Sequence, residues 1–314
     1  MATKKSKSSS KSKKTESTKP KTAEKSAKKT ELEAPKTNTV EKKTSEEKSS
    51  TSKSKSCLSG FFAKKYEEKE SILTVFKSHK FYGALLGEVI GTMLLALLFF
   101  SLLLMGIHGV ATYMIAVIAL LIAVYAFSGA CLNPLIAVGM MASRRMSVIR
   151  GVMYIIAEIV GAWLAWMIFN GFHIAGGDTA MVDIPTISAL AENGFWPAAM
   201  VEILGAIIIA FFFARALKYK RSVFTFGAVV TGGIVLAVLV GYVVSAAFLG
   251  LSSNFIMNPA IATMLQIFPT AGDDFGQIFG GICQALSLYV ILPMIGGVIG
   301  FYLSDFTGKL SAEE

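Results

Sequence analysis

Ser128-Gly129-Ala130-Cys131-Leu132-Asn133-Pro134-Leu135 is a polar break in a long apolar stretch. Asn is a favoured helix N-cap, and Pro is favoured at the first helical position. The pair therefore predicts a short helix from Pro134 to about Ala142. A second copy, Met257-Asn258-Pro259-Ala260, also follows a hydrophobic run and predicts a helix from Pro259 to about Gln266. A helix that starts at membrane depth exposes free backbone N–H groups where there is no bulk water. Such backbone is tolerated only where protein encloses it or it lines a water-filled cavity. Two such starts point to one pore.

Composition agrees with a membrane setting. The chain has 314 residues, 54% of them hydrophobic and 16% charged. Several apolar runs reach the roughly 20 residues needed to cross a bilayer. Hydrophobicity and length predict spans at 81–105, 110–128, 150–172, 196–217, 223–247 and 283–304, with the two Asn-Pro helices after the second and the fifth. Arg144, Arg145 and Arg150 fall in one inter-span region, and Arg215, Lys218, Lys220 and Arg221 in another. The positive-inside rule assigns both, with both termini, to the cytoplasm. The opposite connections carry Asp178, Asp183, Glu192, Asp273 and Asp274 and no basic residue.

Residues 1–70 are a different material, rich in Lys, Ser, Thr and Glu, and too polar to bury a core. They read as a disordered cytoplasmic tail, followed by an amphipathic lead-in at 71–80. No apolar segment follows the basic start until past residue 80, so the start does not read as a secretory leader. The tail suits anionic lipid head groups or simple solvation; nucleic acid is the weaker partner, because no Arg or aromatic residue precedes Phe61. Cys57, Cys131 and Cys283 show no metal or disulfide spacing. No set of nucleophile, base and ligands points to an enzyme, a cofactor or a metal. Residues 305–314 read as a short cytoplasmic C-terminus.

The chain also repeats itself. Gly87-Glu88-Val89-Ile90-Gly91-Thr92 opens the first span, and Val201-Glu202-Ile203-Leu204-Gly205-Ala206 opens the fourth. Tyr154-Ile155-Ile156-Ala157-Glu158-Ile159-Val160-Gly161 in the third aligns with Tyr289-Val290-Ile291-Leu292-Pro293-Met294-Ile295-Gly296 in the sixth. Each half, 81–172 and 196–304, holds three spans and one half-helix. An odd number of spans forces the halves to enter the membrane in opposite senses. That is an inverted repeat, with its special site between the halves near the midplane.

With these motifs in this order, residues 81–304 resemble the major intrinsic protein family of aquaporins and glycerol facilitators. The resemblance implies an all-α bundle of six transmembrane helices plus two re-entrant half-helices, one pore per subunit, and a homotetramer. It implies a passive channel for water or small neutral solutes such as glycerol, in a cell membrane. In the family pattern the pore boxes would be Asn133, Pro134 and Leu135 with Asn258, Pro259 and Ala260, the two Asn amides donating to the cargo. The outer constriction would be Tyr113, Tyr242, Phe255 and Ile261.

Several residues depart from that pattern. Leu135 replaces the usual Ala, Cys131 stands where His is common, and Ile261 and Ala262 replace the Arg and Asp of glycerol facilitators. The expected filter is aromatic and apolar with no fixed cation. Buried carboxylates in a membrane need partners. Glu88 and Glu202 read either as hydrogen-bond acceptors that hold the loops before each half-helix or as ion sites of a coupled transporter. Glu158 is unusual, since Gln is commoner there. It is either a protonated scaffold or a source of pH-sensitive conduction. An anion or weak-acid channel of related fold is the alternative function. Gly83, Gly87 and Gly91 predict close helix approach, and Trp163, Trp166 and Trp196 an interfacial belt.

Overall fold

The computed structural model describes residues 75–105, 109–175, 195–219, 222–249, 255–265 and 275–311. The 1–70 tail, the acidic residues of the two long connections, Lys220, Arg221, Cys57 and His108 lie outside the described residues, as does the start of the 71–80 lead-in. From Val75 the chain makes one turn, with Ser78 N donating to Val75 O. Phe76 then packs edge-on against Phe81 at 5.6 Å.

The described elements are all helical. They are α1 (His79–Met105), α2 (Val110–Ser128), α3 (Pro134–Ala142), α4 (Val148–Ala175) and α5 (Phe195–Ala216), with a 3-10 turn after α5. There follow α6 (Val223–Leu249), α7 (Pro259–Leu265), α8 (Phe275–Leu286) and α9 (Leu292–Leu310). Among the described residues six helices are long and apolar enough to cross a membrane, the last formed by α8 and α9 together. The two short helices fall where the Asn-Pro pairs predict them.

The last span starts at Ile278 rather than at 283, within a helix that begins at Phe275. The stretch Phe275-Gly276-Gln277-Ile278-Phe279-Gly280-Gly281 is too Gly-rich to read as a span, yet it is helical. Between α8 and α9 lies one π turn, Ser287–Ile291, closed by Leu292 N donating to Ser287 O. Pro293 explains it. Proline has no N–H to give the carbonyl of Tyr289, and its ring clashes with that carbonyl in a regular helix. A wide turn accommodates both problems.

The inverted repeat is visible in the packing. α1 lies on α4, and α5 lies on α9. Gly161 of α4 sits over the Val89 carbonyl; a Cβ there would also meet Met93 N at 3.1 Å and Thr92 Cβ at 3.2 Å. Gly296 of α9 sits over the Ile203 carbonyl in the same way, with Ile203 O at 2.7 Å and Ala206 Cβ at 2.8 Å from such a Cβ. These are the repeat-related positions, and glycine is required at both because the opposing atoms are backbone. Gly87 and Gly91 also lie against neighbours, whereas Gly83 faces open space. Trp196 is exposed, whereas Trp163 and Trp166 lie in a seam between helices. Both are half-buried, and Trp166 packs on Phe100 and Phe169. Their rings fill the α1–α4 seam because Ala96 and Ala165 leave room there.

Candidate pore site

Each half-helix begins from a non-helical strand of backbone that crosses the interior. Asn133 is extended at φ −159°, and its Oδ1 accepts from Leu135 N at 3.1 Å, capping α3. Asn258 Oδ1 accepts from Ala260 N at 3.0 Å and caps α7. With each oxygen turned onto its own helix, the amide nitrogen must point away from it. Asn133 Nδ2 donates to the Met257 carbonyl at 2.9 Å, and Asn258 Nδ2 donates to the Leu132 carbonyl at 3.0 Å. The bridge is reciprocal: each half's cap is tied to the last carbonyl before the other half's cap. An amide carries two N–H donors, so each Asn has a second one beyond this bond.

Those two carbonyls reach across because their residues are left-handed. Leu132 has φ 52° and Met257 φ 51°, repeat-related residues in the same unusual conformation. For a non-glycine residue this costs about 1–2 kcal/mol. Their side chains pay part of that back by packing, Leu132 against Gly91 and Met257 against Gly205. Gly91 and Gly205 are also repeat-related.

The carboxylates hold this backbone. Glu88 accepts from Cys131 N at 3.1 Å and from Leu132 N at 2.7 Å. Glu202 accepts from Ile256 N at 2.6 Å and from Met257 N at 2.9 Å. Glu158 accepts from Asn133 N at 3.0 Å. All three are buried. These N–H groups have no helical partner, so the carboxylates answer a need the backbone creates. Tyr154 adds a bond from its hydroxyl to Ser128 O at 3.0 Å.

The expected constriction residues are dispersed more unevenly. Tyr113 and Phe255 are buried in the central cluster. Ile261 is buried among Ala96, Phe99, Phe100, Ala165 and Met264, and Ala262 among Ala198, Ala199 and Tyr289. Tyr242 requires correction. It is 42% exposed on the outer face of α6, one residue out of register. Gly241 is the α6 residue that faces inward: a Cβ there would meet Phe255 Cδ1 at 3.1 Å and Met257 Cε at 3.0 Å. The inward stripe Phe226, Val230, Ala237, Gly241 runs at helical spacing and excludes Tyr242. That periodicity was the available signal. Leu135 is fully buried, and its carbonyl packs against Gly297 of α9.

At the far end of α3, Arg145 pairs with Asp305 of α9 and lies 5.3 Å from the Phe301 ring, while Tyr302 donates to Ala142 O at 2.8 Å. These contacts fix the C-terminal end of the half-helix. Cys131 is a buried free thiol that points to Met140 Sδ at 3.6 Å, and Cys283 is exposed.

A membrane bundle with two opposed, Asn-capped half-helices defines a class of channel proteins, and the family comparison agrees. The family described as "Major intrinsic protein" matches residues 75–303, and the chain belongs to that family. Its members are channels rather than enzymes. The chain is similar to Aquaporin-1 of Canis lupus familiaris, 26% identical over 186 residues, a stretch covering 57% of this chain and 59% of that protein. It is also similar to the solved structure of the aquaglyceroporin from Plasmodium falciparum. There the TM-score is 0.48 at 15% identity, covering 73% of this chain and 96% of that one.

Proposed function

We propose that the protein is a passive channel for water and small uncharged solutes, with Asn133 and Asn258 as the central donors. The observation that carries this is the reciprocal amide–carbonyl bridge. It fixes both amides at the meeting point of two helix N-termini and leaves each a second N–H for cargo. A molecule moving in single file must exchange its hydration for such groups. Two positive helix ends at the same place disfavour cations and break a hydrogen-bonded proton wire.

The outer constriction is read as Tyr113, Gly241, Phe255 and Ile261. It has aromatic and aliphatic walls, no fixed cation, and a glycine where a side chain would narrow it. That combination favours a solute with a carbon backbone, such as glycerol, alongside water. Glu88 and Glu202 serve as loop supports rather than ion sites, since both oxygens of each are occupied by backbone N–H groups. The basic loops put both termini in the cytoplasm, with the channel in the cell membrane and the Lys-rich tail near anionic lipid. A homotetramer would cover part of the apolar exterior that includes Ile115, Met167 and Phe224.

Stopped-flow light scattering on proteoliposomes tests the cargo. Glycerol, urea and an impermeant osmolyte are applied in turn, and reswelling reports entry. Rapid water flux with no glycerol entry would remove the facilitator reading. Vesicles that carry current but no water would remove the neutral-solute reading in favour of ion transport.

A further inference from the structure

Repeat one has a carboxyl that repeat two lacks. Glu158 aligns with Pro293, so Glu202 works alone while Glu88 has a carboxyl neighbour. Glu158 Oε1 takes the Asn133 N–H. Its Oε2 is buried and receives no hydrogen bond from any N–H or O–H donor. The polar group beside it is the Glu88 carboxyl, with which it is paired. Both Glu88 oxygens already accept backbone N–H groups, and the Ser128 hydroxyl also reaches that carboxyl.

The pair therefore has three backbone donors for four oxygens, and Glu158 Oε2 is the one left without a donor. Two ionised carboxylates so placed, away from water, repel strongly and have nothing between them. One proton resolves both problems: it removes a charge and supplies the missing donor. Beyond the Ser128 hydroxyl at Glu88, the surroundings offer no further compensation. α1 brings Glu88 itself, and α3 and α7, which also pack on α4, bring no titratable side chain. The loop before α3 brings the Cys131 thiol. On α4, Tyr154 uses its hydroxyl on Ser128 O, and Arg150 engages Tyr154. No cation among the described residues meets the pair.

We infer that Glu158 is a neutral carboxylic acid whose Oε2 hydroxyl donates to the Glu88 carboxylate, making it a positioning residue for Asn133 that works only while protonated. The inference rests on the proposed role of Asn133 in the pore for its functional consequence, but not for the proton itself. Loss of the proton sets two like charges face to face. Glu158 then withdraws, and Asn133 N loses its acceptor. The conducting form is the protonated one, so solute permeability falls as pH rises. Glu158→Gln replaces the O–H with a permanent N–H and keeps an oxygen for Asn133 N.

The test uses full-length protein in lipid vesicles. Infrared difference spectra between wild type and Glu158→Gln read the protonated-carboxyl C=O stretch, and stopped-flow permeability is followed against pH. The expected result is a band present in wild type at neutral pH, absent in Glu158→Gln, and lost on alkaline titration. Wild-type permeability is lost over the same alkaline range, while Glu158→Gln stays flat. Glu88→Gln gives up one of its two backbone acceptors; its NH2 group removes the facing charge and can donate to an ionised Glu158, so the band is lost although Glu158 is intact. If Glu158→Gln does not fold, alkaline titration of the band in wild type and its loss in Glu88→Gln decide the matter. No band in wild type overturns the proton. A pH profile in Glu158→Gln that matches wild type overturns the positioning role. A band with no permeability at any pH leaves the proton assigned and counts against the channel reading instead.

Discussion

Replacing Asn258 by Asp removes the amide donor and keeps the capping oxygen, at the cost of a carboxylate in a buried site. Asp keeps the oxygen that caps α7 through Ala260 N at 3.0 Å and Ile261 N at 3.4 Å. What changes is the other terminal atom. Nδ2, which donates to Leu132 O at 3.0 Å, becomes an oxygen facing an oxygen. The Leu132 carbonyl, buried, loses its partner, at a cost of about 1–3 kcal/mol. The second N–H, proposed to meet the cargo, is lost with it. If a permeating solute forfeits one such bond at the narrowest point, the barrier rises by a similar amount. The flux then falls about 5- to 150-fold. Proteoliposome stopped-flow measurement, normalised to protein content, reads the flux, and thermal unfolding in detergent reads the stability. Asn258→Ala provides the comparison: it should lose the same flux without adding a charge, giving up about 1 kcal/mol for the cap, which Asp keeps at the cost of a buried carboxylate. A folded Asn258→Asp channel that passes solute at the wild-type rate would refute the assignment of that amide to conduction.

The remaining predictions concern packing and the constriction. Gly161→Ala and Gly296→Ala each push a methyl group onto a backbone carbonyl that cannot yield, lowering stability by about 1–3 kcal/mol. Gly83→Ala, facing open space, stays within about 0.5 kcal/mol, and thermal unfolding ranks the three. Gly241→Ala forces the Phe255 ring aside by a few tenths of an ångström and narrows the constriction; glycerol flux drops relative to water flux in paired reswelling assays. Ile261→Arg, which would give the family's usual residue, places an unpaired charge among Phe99, Phe100 and Met264. It should cost several kcal/mol and reduce the yield of folded protein in size-exclusion chromatography.

Local signals carried most of the architecture. Asn-Pro chemistry located both half-helices to within a residue at their ends, because cap and proline act on adjacent backbone. Glu88 and Glu202 were legible through the repeat, since a buried carboxylate at matching positions implies a matching partner. Tyr242 was misread because the longer connection to Phe255 hid the register, while aromatic character drew attention from the glycine beside it. The packing of Trp163 and Trp166 was not legible, because the seam they enter depends on small residues of two helices far apart in sequence, Ala96 and Ala165. The π turn followed from Pro293 in retrospect, but a proline permits several local solutions, and only the packing of Tyr289 selects one. The bridge between Asn133 and Met257 joins residues 124 positions apart, and no local rule reaches that far.

That separation bears on how the protein is made. The first half-helix cannot satisfy its own cap amide; the acceptor it needs belongs to a residue synthesised 124 positions later, and the return bond spans 126. At typical elongation rates of about 5–20 residues per second, Met257 is added roughly 6–25 seconds after Asn133. During that interval the first repeat sits in the bilayer with a buried polar end incomplete. The newborn half therefore cannot make either bond of the bridge until its counterpart has been synthesised. Premature termination before Met257 would release a chain with no means of closing its own interior.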